Sequence, residues 1–146
     1  MVSDVRVADI LLLSDREDET ELVRTAASAR ALHVVSACSD VLPFLRRQDS
    51  YRDSPRPDLI ILDLDLANGD DCDTLTEIKD DQELRRIPLV ILAKNDVPAL
   101  AGRAYDLRAN AYVRKPKHPG DFVEMIRGVV RFWLELARLP GQEDWK

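Results

Sequence analysis

The chain has 146 residues, of which 45% are hydrophobic and 33% charged, with a formal net charge of -6. That length and mixture describe one globular domain, residues 1–146 with a core over about 8–140, and exclude a disordered or fibrous chain. An acidic balance without any block of Lys and Arg argues against nucleic-acid binding.

Met1 to Arg6 carries an acid early and runs into only a short apolar segment. This fits neither a signal peptide nor a membrane span. Cys38 and Cys72 have no paired spacing and read as reduced thiols of a cytoplasmic protein. His33 and His118 lie far apart, and no Cys/His metal cluster is visible.

Ile10-Leu11-Leu12-Leu13 reads as a buried strand ending at Ser14-Asp15. Asp18 and Glu21 have capping-box spacing, so a helix should start about there. Leu22, Val23, Ala26, Ala27 and Ala29 give it an apolar face. Leu32 to Ser36 reads as a second strand. Asp40 is placed to cap a helix from Val41 to about Arg47, with Pro43 tolerated in its first turn. Gln48 to Pro57 is a polar loop around Tyr51.

Leu59-Ile60-Ile61-Leu62 follows, four apolar residues between Asp58 and Asp63. Such a run suits a strand buried on both faces of a parallel sheet. Asn68-Gly69-Asp70 marks a turn, and Leu75 and Ile78 a helix. Pro88 to Leu92 is a fourth strand, ending in Ala93-Lys94-Asn95. Asp96 is placed to cap a helix through Leu107. Ala111 to Arg114 is a fifth strand, ending at Lys115-Pro116, and a last helix runs from near Pro119 to about Leu139.

Strands and helices alternate five times. The expected fold is α/β, a doubly wound five-stranded parallel sheet with five helices, joined by right-handed crossovers. Parallel strands bring Asp15, Asp63, Ala93 and Lys115 to one sheet edge, where open α/β sheets bind ligands. Two acids and a lysine there suit phosphoryl chemistry. A carboxylate is a competent nucleophile toward an activated phosphoryl group, Mg²⁺ usually takes only one or two carboxylates, and a lysine supplies a point charge for phosphoryl oxygens.

The set resembles the receiver domain of two-component response regulators. The motifs are Leu11-Leu12-Leu13-Ser14-Asp15, Pro57 to Asp63, Ile87 to Leu92, and Ala109 to Pro116. A finer likeness is to single-domain regulators that work with phytochrome-type sensor kinases. It rests on Phe44-Leu45-Arg46-Arg47-Gln48, the Tyr51 loop, Glu83 to Pro88 and Phe132-Trp133-Leu134.

The resemblance implies a flavodoxin-like fold in which Asp63 takes a phosphoryl group from a kinase phosphohistidine. Asp15, Asp63 and the backbone carbonyl of Asp65 would hold Mg²⁺. Lys115 would contact the phosphoryl group, and Tyr112 would be the aromatic whose rotamer reports the switch. Two departures stand out. Ser14 replaces the first of two adjacent acids, and Ala93 replaces a Ser or Thr whose hydroxyl would bond the phosphoryl group. Lys94 stands where a small residue is usual, and Asp65 adds an acid that could replace the lost charge.

The expected role is a stand-alone receiver that signals by protein–protein interaction. The first alternative is a phosphorylation-independent pseudo-receiver, favoured by Ser14 and Ala93. The second is an aspartate-nucleophile phosphatase of the haloacid-dehalogenase type, suggested by Asp63-Leu64-Asp65. A flavin or nucleotide site is weaker, because no glycine-rich loop follows the first strand. Finally, Phe122, Met125, Ile126, Val129, Val130 and Trp133 form one helical stripe, while Val123, Phe132, Leu134 and Leu136 add apolar surface beyond it. That surplus predicts a homodimer through the final helix, unless the helix end folds over the Tyr51 loop.

Overall fold

A computed structural model describes residues 7–93 and 98–137. Lys94, Asn95 and Asp96, and the end of the expected last helix at Leu139, lie outside the described residues. The elements are β1 (Asp9–Leu13), α1 (Glu17–Ala27), β2 (Ala31–Val35), α2 (Val41–Leu45), β3 (Leu59–Leu64), α3 (Gly69–Asp80), β4 (Leu89–Ala93), α4 (Pro98–Asp106), β5 (Ala111–Arg114) and α5 (Pro119–Arg131). A π-helical turn, Phe132–Leu136, extends α5. All strand pairs are parallel, in the order β2-β1-β3-β4-β5. The expected doubly wound sheet is therefore present.

Side chains of a strand alternate between its two faces. Ile10, Leu12, Leu59, Ile61, Val90 and Leu92 pack against Val23, Ala26 and Ala27 of α1 and Phe122, Ile126 and Val130 of α5. Leu11, Leu13, Ile60, Leu62, Leu89 and Ile91 pack against α2, α3 and α4. β1, β3 and β4 are central and almost wholly buried, which is why their sequences are unbroken apolar runs.

Several local expectations change. α1 begins at Glu17 with Arg16 at its N-cap and no side-chain cap. Asp18 instead accepts the Glu19 N–H (2.9 Å) and pairs with exposed Arg16. The helix stops at Ala27 because Ser28 adopts φ 58°, so Ala29 falls outside it. Asp40 does not cap α2, which is a short helix entered through a 3-10 turn at Cys38–Asp40. Tyr51 packs on Phe44, ring centroids 5.6 Å apart, on the α2 face. The end of α5 lies on the other face, so it does not fold over the Tyr51 loop.

At the edge opposite the candidate site, Asn110 Oδ1 accepts the Leu89 N–H (2.7 Å) and the ammonium of buried Lys79 (2.9 Å). One amide thereby ties α3, β4 and β5 together.

Candidate functional site

Strand parity aims the site. On β3, Leu59 and Ile61 face α1 and α5, so Asp63 turns the same way. On β1, Ile10 and Leu12 set that direction for Ser14. On β5, Ala111 and Val113 set it for Lys115. Asp63 and Lys115 meet at the carboxyl edge, with Lys115 Nζ donating to Asp63 Oδ2 at 2.6 Å. Asp63 is 6% exposed, and among the described residues no donor reaches its Oδ1.

A residue missed in the sequence completes the group. Lys115 Nζ also lies 2.7 Å from Glu19 Oε1, and Ser14 Oγ donates to Glu19 Oε2 at 3.1 Å. Glu19 sits in the first turn of α1 and is 5% exposed. Its neighbours Glu17 and Asp18 are exposed, as acids at a helix start usually are. The available signal was a third consecutive acid one residue before an otherwise buried helix face.

Two buried carboxylates thus share one ammonium. Burial, and then the Glu19 carboxylate, push Asp63 up to about 6 against the pull of Lys115. Burial also works against Glu19, but hydrogen bonding with Asp63, Lys115 and Ser14 outweighs it and holds Glu19 below the usual range. Lys115 loses to burial and gains more from both carboxylates, so its pKa is raised.

Asp15, Asp63 and Asp65 line one open cleft of about 290 Å³, with Ser14, Asn68 and Asp71. Asp15 is exposed. The Asp65 side chain is engaged within its own loop, where Oδ1 accepts the Ala67 N–H at 3.0 Å. Its own N–H donates to Asp71 Oδ2 at 3.0 Å, and its carbonyl accepts the Asn68 N–H at 2.9 Å. A carbonyl has a second lone pair, so that oxygen remains a competent ligand. Among the described residues no three His, Cys, Asp or Glu side chains form a ready-made metal cage. Mg²⁺ does not need one, since it usually keeps several waters and takes one or two carboxylates. The undonated Asp63 Oδ1 beside Asp15 fits that requirement.

Ala93 ends β4 between Leu64 and Arg114 and is 3% exposed. Tyr112 is partly buried against the α2–α4 core, and its N–H donates to Tyr105 Oη of α4 at 3.4 Å.

A doubly wound five-stranded parallel sheet that brings a central-strand aspartate and the lysine after β5 together at its carboxyl edge defines a receiver-like α/β domain. The chain belongs to the response regulator receiver domain family, whose model matches residues 10–127. Response regulator Rcp1 of Synechocystis is 36% identical over 138 residues, covering 90% of this chain and 92% of that protein. The phosphorylated cyanobacterial phytochrome response regulator RcpA superposes with a TM-score of 0.85 at 31% identity, covering 93% of this chain and all of RcpA. The Mn²⁺-bound form of Rcp1 superposes with a TM-score of 0.83 at 33% identity, covering 92% and 99%. The chain is thus a two-component signalling receiver, homologous to phytochrome-associated regulators. No helix of the described residues is long and apolar enough to cross a membrane.

Proposed function

We propose that Asp63 accepts a phosphoryl group from the phosphohistidine of a sensor kinase, of phytochrome type, in the cytoplasm. An Asp63 carboxylate oxygen attacks phosphorus, the P–N bond breaks as the P–O bond forms, and the imidazole leaves with the bonding pair. Lys115 then meets the phosphoryl oxygens. Mg²⁺ held by Asp63, Asp15 and the Asp65 carbonyl would supply positive charge to those oxygens. The observation that supports this most is Asp63 itself. It is buried at the end of a central strand, with Lys115 at 2.6 Å on one oxygen and, among the described residues, no donor on the other.

Signalling then proceeds by protein contact, as a homodimer through the end of α5. Exposed Phe132 and Leu136 support that surface. Ala93 favours one rival, a pseudo-receiver that keeps the fold without the phosphorylation cycle. Intact-mass measurement after acetyl phosphate and Mg²⁺ separates the two. One labile phosphoryl adduct is expected, absent in Asp63→Asn. An unlabelled wild type would establish the pseudo-receiver, and label surviving the substitution would move the acceptor elsewhere. Turnover of a generic phosphomonoester is expected to be nil.

A further inference from the structure

We propose that Glu19 is a working member of this site. It holds Lys115 against Asp63 and supplies the second buried negative charge that draws a divalent cation to Asp63. The proposal rests on the phosphoacceptor reading above and assigns a role to a residue outside the strand ends.

The argument begins with cost. A buried carboxylate loses hydration worth several kcal/mol, and it persists only where partners repay it. Glu19 is held by Lys115 Nζ at 2.7 Å and by Ser14 Oγ at 3.1 Å. Lys115 is not its own, however, because Asp63 Oδ2 holds the same ammonium at 2.6 Å. Two buried negative charges therefore face one positive charge. Among the described residues the group is one cation short, and Asp63 Oδ1, on a residue only 6% exposed, has no donor. A structural ion pair for Lys115 would need only one carboxylate. The surplus is what a cation at Asp63 would neutralise.

Position 14 explains the arrangement. Ser14 is 3% exposed and shares the strand face of Asp63 and Lys115. Its short side chain brings no charge, but its hydroxyl turns Glu19 inward. An acid from the first turn of α1 thereby enters the space beside the end of β1. Glu19 acts through Lys115 and through its charge, so it is a positioning residue.

The test is Mg²⁺ titration calorimetry on the full chain, with Mn²⁺ binding followed by electron paramagnetic resonance as a second probe. Glu19→Gln keeps the shape and removes the charge, and should weaken cation binding on the order of tenfold. Ser14→Asp combined with Glu19→Gln moves the acid to the strand end and should regain most of that loss. Rescue by relocation is what a merely structural Glu19 would not give. If Glu19→Gln alone fails to fold, the combined variant should fold and bind Mg²⁺; failure to do either overturns the proposal. It is equally overturned if Glu19→Gln binds as wild type does, or if the combined variant stays as weak as Glu19→Gln. Acetyl phosphate labelling of wild type separates the two levels. A wild type that takes neither cation nor phosphoryl group sinks the phosphoacceptor reading and this one together. A labelled, cation-binding wild type with an indifferent Glu19→Gln sinks only this one.

Discussion

Asp63 carries a conflict that sets how stability depends on pH. Its pKa is about 6 in the fold, against an ordinary 3.8. A carboxyl raised on folding contributes stability that is fully present below its unfolded pKa and lost as pH rises through the folded one. In the cation-free protein that loss therefore falls between about pH 4 and pH 7. Asp63→Asn cannot ionise and escapes it. We expect this variant to melt above wild type at pH 8, by on the order of 1–2 kcal/mol after allowing for screening at an open cleft. The gap should close below about pH 4 and shrink when Mg²⁺ is added. Equal melting temperatures at pH 8 and pH 4 would show that Asp63 bears no such strain.

At the scale of elements, α5 and its extension divide their apolar residues between two tasks. Phe122, Ile126 and Val130 are buried against the sheet. Met125, Val129, Trp133, Val123 and Leu134 pack partly against the same core. The surplus is smaller than the helical spacing alone implies. What remains is Phe132, 51% exposed and edge-on to Trp133 at 5.0 Å, and Leu136, 71% exposed. Glu135 pairs with Arg30 beyond the end of α1, fixing the π-helical turn against the molecule. Two-fold pairing would bury this patch on both copies, with an aromatic at its centre. Sedimentation at micromolar concentration should give a dimer for wild type and a monomer for Phe132→Glu and Leu136→Glu, with melting little changed. Trp133→Glu is a poorer probe, because that ring also packs on the core. A dimer untouched by either substitution would place the interface elsewhere, with exposed Tyr105 on α4 the next surface to alter.

At the scale of the whole molecule, a switch of the proposed kind would run from β4 to β5 and α4. Ala93 stands at that junction without a hydroxyl, and Tyr112 and Tyr105 already link β5 to α4. A hydroxyl at 93 would donate to a phosphoryl oxygen, and charge-assisted bonds are the strong ones. Wild type should therefore answer beryllofluoride with small amide-shift changes around Tyr112, and Ala93→Thr should enlarge them severalfold. A full-sized response in wild type would mean that Lys115 alone carries the coupling.

The division between sequence and structure follows from the range of the forces involved. Leu59 to Leu62 and Leu89 to Leu92 are read as buried strands because four apolar residues in a row leave no solvent face. The order of those runs along the chain then places Asp63 and Lys115 on one edge. Caps were less legible. Asp18 and Asp40 have suitable spacing, but neither side chain caps its helix, and Asp18 instead meets the Glu19 N–H and Arg16. Asp65 reads in the sequence as a spare charge near the site; that its Oδ1 also accepts the Ala67 N–H is a feature of its loop that spacing does not show. Glu19 left only a faint signal, a third consecutive acid before a buried helix face. Its burial depends on the rotation of α1 about its axis, on the parity of Ser14, and on a lysine 96 positions away. The sequence by itself determined the strands and the sheet edge that carries Asp63 and Lys115, since both follow from local apolar runs. Only the tertiary structure decided which acids face Asp63, because that depends on how a helix is turned against a sheet.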